Sequence, residues 1–113
     1  MDRGHPKLAP QVDGLNPAVL RLIAHTVRGA HHEGKRVAVC GGIASDRHAV
    51  PILIGLGVDE LSVSPPAIPA VKAQIRSLHL DACRELAERA LAAESAAEVR
   101  ALVPDPDAAA AVT

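Results

Sequence analysis

Apolar residues fall along the chain into helix-spaced and strand-like stretches that alternate. Val19, Leu20, Ile23 and Val27 recur at helical spacing, which predicts an amphipathic helix from about Pro17 to Glu33. Asn16 suits its N-cap, Pro17 its first turn and Gly34 its stop. Arg36 to Cys40 then reads as a short strand. Its Val37, Ala38 and Val39 are apolar on both faces, the pattern of a parallel strand covered by helices. Ala49 to Leu56 is dense in Ile and Leu and predicts a second helix, beginning close to Pro51 and closed by Gly55 and Gly57. Glu60 to Ser64 alternates as a second strand. Pro65 and Pro66 stop it, and Ile68 to Leu78 predicts a third helix with Pro69 at its start.

Asp81 to Ala93 predicts a further amphipathic helix with Leu86, Ala90 and Ala93 along one side. Ser95 and Glu98 have the spacing of a capping box that opens a last short helix through Val103, ended by Pro104. Residues Met1 to Gly14 read as a loop, and residues 104–113 as a disordered tail. Strands that alternate with helices imply parallel pairing through crossovers. The fold class is therefore α/β: helix-strand-helix-strand-helix, then two C-terminal helices, with two parallel strands. Such a sheet leaves both edges open, so the pattern reads as a slice of something larger.

Composition narrows the function classes. The 113 residues carry a net charge of −1 with no basic block, which argues against nucleic acid and against a basic membrane patch as partners. No apolar run approaches the ~20 residues that a membrane helix needs, and the N-terminus has no signal-peptide pattern. A cytoplasmic protein is expected. There is no Phe, Tyr or Trp, so the core must be built from Leu, Ile, Val and Ala. Cys40 and Cys83 form no CxxC pair and read as free thiols.

The chemistry concentrates in Val37 to Asp46, VAVCGGIASD. Gly41 and Gly42 remove side chains where the strand ends, so backbone or a ligand can approach the Cys40 sulfur. Ser45 and Asp46 come next as candidate helix caps. Cys40 then has two readings: a small buried hydrophobe, or a functional thiol at the C-terminal end of a parallel strand, where α/β folds place their chemistry. Cys83 lies in a helix without activating basic neighbours and reads as packing. His25, His31 and His32 read as solvated helix residues, since no carboxylate or cysteine completes a ligand set with them.

Three longer stretches, NPAVLRLI, HHEGKRVAVCGGIASD and ILIGLGVDELSVSPPAIPAVKAQIR, resemble the C-terminal part of phosphoenolpyruvate–protein phosphotransferase, enzyme I of the sugar phosphotransferase system. The resemblance runs from Asp2 to about Val103, and Asp2-Arg3-Gly4 resembles the family's DRGN segment. It implies that residues 1–103 form the C-terminal segment of a (β/α)8 TIM-barrel domain, supplying its seventh and eighth strands. Cys40 would match the catalytic cysteine that exchanges a proton with C3 of the enolpyruvate unit. Arg3 would match an arginine that holds the phosphoenolpyruvate anion, and Gly41 and Gly42 would give room beside the substrate. The family usually has Glu where Gly42 stands. The CGGIASD form looks more like the multidomain phosphotransferases that fuse enzyme I to phosphocarrier modules.

The phosphorylated histidine, the remaining arginines and the Mg²⁺-binding carboxylates belong to parts of the family that find no match here. Met1 would fall within the sixth β/α unit, so a segment inactive by itself is expected. Phosphoenolpyruvate and a histidine phosphocarrier protein are the partners implied for the complete enzyme, in sugar uptake. A second copy of the chain or an enzyme I is a further partner to expect, and an interaction module that docks on an intact enzyme I is the alternative function. A pyruvate-phosphate dikinase or a phosphoenolpyruvate synthase shares the cysteine-glycine loop but resembles SVSPPAIP less well.

Overall fold

The structure, a computed structural model, describes residues 14–103. Helix α1 covers Pro17–His32. Asn16 caps it as its sequence predicts, the side-chain carbonyl accepting from the Ala18 N–H at 2.9 Å. Gly34, at φ +69°, turns the chain out of the helix while the Lys35 N–H returns to the Ala30 carbonyl at 2.8 Å. Strand β1, Ala38–Cys40, is shorter than the Arg36 to Cys40 stretch expected, and β2 covers Glu60–Ser62 where the pattern extends to Ser64. They pair in parallel, with Ala38 opposite Glu60, Val39 opposite Leu61 and Cys40 opposite Ser62.

A four-residue helix, α2, Gly42–Ser45, comes directly after β1. Helix α3, Ala49–Leu56, then crosses between the two strands. Its first five residues, Ala49 to Leu53, are all buried, as a helix apolar on every side must be. Pro51 sits in its first turn, where a missing N–H costs nothing. Gly57, in the left-handed region at φ +97°, caps the end. A 3-10 turn at Pro65–Ala67 leads into α4, Ile68–Arg76, which stops two residues short of the expected Leu78. Helix α5 covers Leu80–Ala92. Gly55 does not close α3, contrary to expectation: it lies inside that helix, where α5 passes close by. Helix α6, Ala96–Leu102, opens on Ser95, whose hydroxyl accepts from the Glu98 N–H at 3.2 Å. The Glu98 carboxylate reaches back to the Glu94 N–H at 2.8 Å, one residue outside a regular capping box.

The core is aliphatic, as the composition requires. Leu15, Leu20, Ala49, Ile52, Leu53, Ala90 and Val99 form it, with Ala93 and Val103 at its margin. Val39 and Leu61 pack against it from the sheet. Their strand neighbours Ala38, Cys40, Glu60 and Ser62 point the other way and are exposed. The expectation that β1 is buried on both faces is thus corrected. Helices pack against one face of this sheet, and the opposite face is open. The predicted tail, residues 104–113, and most of the predicted N-terminal loop lie outside the described residues.

Candidate functional site at the carboxyl ends of the strands

Both strands end on one rim of the sheet, with Cys40 and Ser62 side by side in register and both exposed. The reading of Cys40 as a buried packing residue is therefore wrong. That description fits Cys83, which is 3% exposed and whose thiol is pushed up by burial. The two cysteines thus separate into one accessible sulfur at a strand end and one inert sulfur between helices.

Beyond Cys40 the chain turns at Gly41, with φ +87° and ψ −169°, a conformation that a side chain would strain. Gly42 then begins α2. This helix was not legible in the sequence, because two adjacent glycines read as a breaker. A Cβ added at Gly41 or at Gly42 would meet no atom within 4 Å. Gly41 is explained by its backbone angle. Among the described residues nothing crowds Gly42.

The turn is held from behind. The Ala44 side chain is fully buried, and its N–H donates to the Gly41 carbonyl at 3.1 Å. Asp46, expected only as a cap, joins α2 to α3. Its carbonyl accepts from the Ala49 and Val50 N–H groups at 2.9 and 3.0 Å, and its Oδ1 accepts from the His48 N–H at 3.0 Å. Arg100 of α6 reaches the same carboxylate, with Nη2 2.8 Å from Oδ2 and Nη1 3.5 Å from Oδ1. Gln74 of α4, buried, donates to the Arg47 carbonyl at 2.7 Å. Sequence reasoning missed Arg100 and Gln74, which lie 54 and 27 residues from the groups they bind. No local pattern carries such a pairing.

At the opposite end of the strands, Asp59 Oδ2 binds His31 Nε2 at 2.7 Å and accepts from the Val37 N–H at 2.8 Å. His31 is thus a partner of Asp59 and not simply solvated. These bonds hold the Asp59 carboxyl below its usual range, the His31 hydrogen bond first and the Val37 N–H next. Arg3 lies outside the described residues. Among the described residues no three His, Cys, Asp or Glu side chains are grouped so as to hold a metal ion. None of the described helices is long and apolar enough to cross a membrane.

An α/β segment with an accessible cysteine and a glycine turn at the strand ends is the class of protein that this geometry defines. Residues 1–80 match the family described as PEP-utilising enzyme, PEP-binding domain, and the chain belongs to that family. Among curated relatives, the multiphosphoryl transfer protein of Rhodobacter capsulatus is 57% identical over 102 residues, covering 90% of this chain and 12% of the relative. The multiphosphoryl transfer protein of Xanthomonas campestris pv. campestris is 51% identical over 102 residues, with the same coverage of 90% and 12%. The phosphoenolpyruvate-protein phosphotransferase of Bacillus sp. (strain S) is 40% identical over 102 residues, covering 90% of this chain and 18% of the relative. The resemblance to fused multidomain phosphotransferases is thus borne out. The chain spans a small part, 12–18%, of these relatives' length.

Proposed function

We propose that residues 1–103 form the C-terminal segment of the barrel domain of a phosphoenolpyruvate–protein phosphotransferase, with β1 and β2 as the last two strands of a (β/α)8 barrel. The observation that carries this reading is the position of Cys40, exposed at the carboxyl end of a parallel strand in a chain of the PEP-binding family. The one-sided sheet supports it as well. Val39 and Leu61 face the helix layer, while Ala38, Cys40, Glu60 and Ser62 present the face that a barrel turns inward.

In the complete enzyme, phosphoenolpyruvate gives its phosphoryl group to an enzyme histidine, and from there to a histidine phosphocarrier protein. When the C2 oxygen–phosphorus bond breaks, the electron pair stays on that oxygen as pyruvate enolate. Cys40 Sγ–H donates a proton to C3, giving pyruvate and a thiolate, and reprotonation from solvent resets the site. Arg3 holds the substrate anion, since a permanently charged planar fork suits phosphate or carboxylate. The Gly41 and Gly42 turn leaves room for the substrate beside the sulfur. In the complete enzyme, Mg²⁺ would be held by carboxylates of earlier barrel strands. The setting is cytoplasmic sugar uptake.

The test is a chimera in which residues 1–103 replace the matching segment of the Rhodobacter capsulatus relative. Phosphate transfer from phosphoenolpyruvate to the phosphocarrier is expected in the chimera and not in the 113-residue chain alone. Cys40→Ala is expected to reduce transfer by about 10²-fold or more. Full transfer by the Cys40→Ala chimera overturns the reading. The open sheet favours one second reading, an interaction module that docks on an intact enzyme I. Co-purification of the chain with such an enzyme separates the two.

A further inference from the structure

We propose that Arg100 is a positioning residue for the Cys40–Gly42 turn and acts through Asp46; the functional weight of that turn rests on the proposed role of Cys40. The turn itself is fixed only by the packing of Ile43 and Ala44 and by the bond from the Ala44 N–H to the Gly41 carbonyl. Gly41 and Gly42 have no side chains, no described atom lies within 4 Å of where their Cβ would be, and a four-residue helix such as α2 does not persist by itself. Beyond that packing, its order depends on the α2–α3 junction, and Asp46 is where the constraints of the junction meet. The Asp46 N–H donates to the Ile43 carbonyl at 3.3 Å, ending α2, while its carbonyl accepts the first two N–H groups of α3.

The Asp46 carboxylate then ties this junction to the far end of the chain. Arg100 engages both oxygens, which fixes the orientation of the carboxylate as well as its distance. His48 Nδ1 lies 3.7 Å from Oδ1. Helix α6 is a firm base for this grip, since its Val99 is fully buried, and Val103, just past its end, nearly so. Lysine, a point charge on a flexible stem, does not reproduce a two-oxygen fork. Gln74 makes a separate tether one residue further on, at the Arg47 carbonyl. Loss of Arg100 should therefore loosen the turn without unfolding the chain.

The test uses the whole 113-residue chain. A trifluoromethyl thiol reagent labels the exposed Cys40 in preference to the buried Cys83, and fluorine NMR reads the order of the turn. Hydrogen exchange at the Ala44 and Asp46 amides reads the α2 hydrogen bonds. The parent chain is expected to give one narrow fluorine line. Arg100→Gln and Asp46→Asn are each expected to broaden or split it and to speed exchange at these two amides at least about fivefold, with α1 and α5 unchanged. Arg100→Lys should recover part of the effect. An unchanged line and unchanged exchange in Arg100→Gln overturn the proposal, and so does exchange that quickens equally in every helix. Neither readout uses phosphoenolpyruvate. Failure of the proton-transfer reading would show instead in the chimera's transfer assay.

Discussion

A Cβ built on Gly55 would lie 2.0 Å from the carbonyl oxygen of Cys83 and 2.9 Å from the Ala87 Cβ. The glycine is therefore what allows α3 and α5 to pack backbone to backbone across the core. In an unhindered helix interior, Gly→Ala stabilises by about 1 kcal/mol. Here the added methyl meets a carbonyl that cannot move without shifting α5, and the clash outweighs the propensity gain. Gly55→Ala is expected to lower stability by about 2–3 kcal/mol. Gly29, inside α1, has nothing within 4 Å of the same added atom, so Gly29→Ala should stabilise by about 0.5–1 kcal/mol. Urea unfolding followed by far-ultraviolet circular dichroism measures both, since the chain has no aromatic residue to report by fluorescence.

The Asp59 carboxyl joins the end of α1 to the start of β1, through His31 and the Val37 N–H. Folding lowers its pKa from 3.8. A carboxyl lowered in this way adds stability above its unfolded pKa and loses that contribution as pH falls through the folded value. Asp59→Asn is expected to be less stable than the parent at about pH 6, and the gap should close progressively below about pH 4. Paired denaturant titrations across that range check it. A gap of constant size would show that the carboxylate charge is not what stabilises the junction.

The contrast between the two thiols predicts selective chemistry. Cys40 is exposed at a strand end, whereas Cys83 is 3% exposed with its thiol pushed up by burial. Iodoacetamide should alkylate the native chain once, at Cys40. The second equivalent should enter only as the chain unfolds, since thiolate character and access together control the rate. Peptide mass spectrometry of briefly treated samples locates the label.

Features written in neighbouring residues were legible in the sequence. Asn16-Pro17 at the start of α1, Ser95 with Glu98 at α6 and the alternation around Leu61 all depend on a few adjacent positions. Parallel pairing was legible too, because a helix separates the strands. What escaped depends on which distant groups meet. Gly55 resembled a helix end because its reason for being glycine lies in α5. Val37 to Val39 resembled a strand buried on both sides, yet helices cover one face, and apolar character alone does not say which. His31 and Asp59 are 28 residues apart, and Asp46 and Arg100 are 54 apart. No period links either pair. Cys40 itself was placed correctly at a strand end, but its spacing left both packing and chemistry open. Its exposure sets the packing reading aside.

Proton exchange at the pyruvate methyl group reads the proposed step, proton exchange between Cys40 and C3 of the substrate, without any intermediate assay. The chimera carrying residues 1–103 is incubated with pyruvate and phosphorylated phosphocarrier in D2O, and loss of the methyl proton signal is tracked by NMR. Reverse protonation chemistry should exchange those protons at the enzyme's turnover rate, and Cys40→Ala should slow the exchange about 10²-fold or more. Exchange at an unchanged rate in the Cys40→Ala chimera would show that another group exchanges protons with C3.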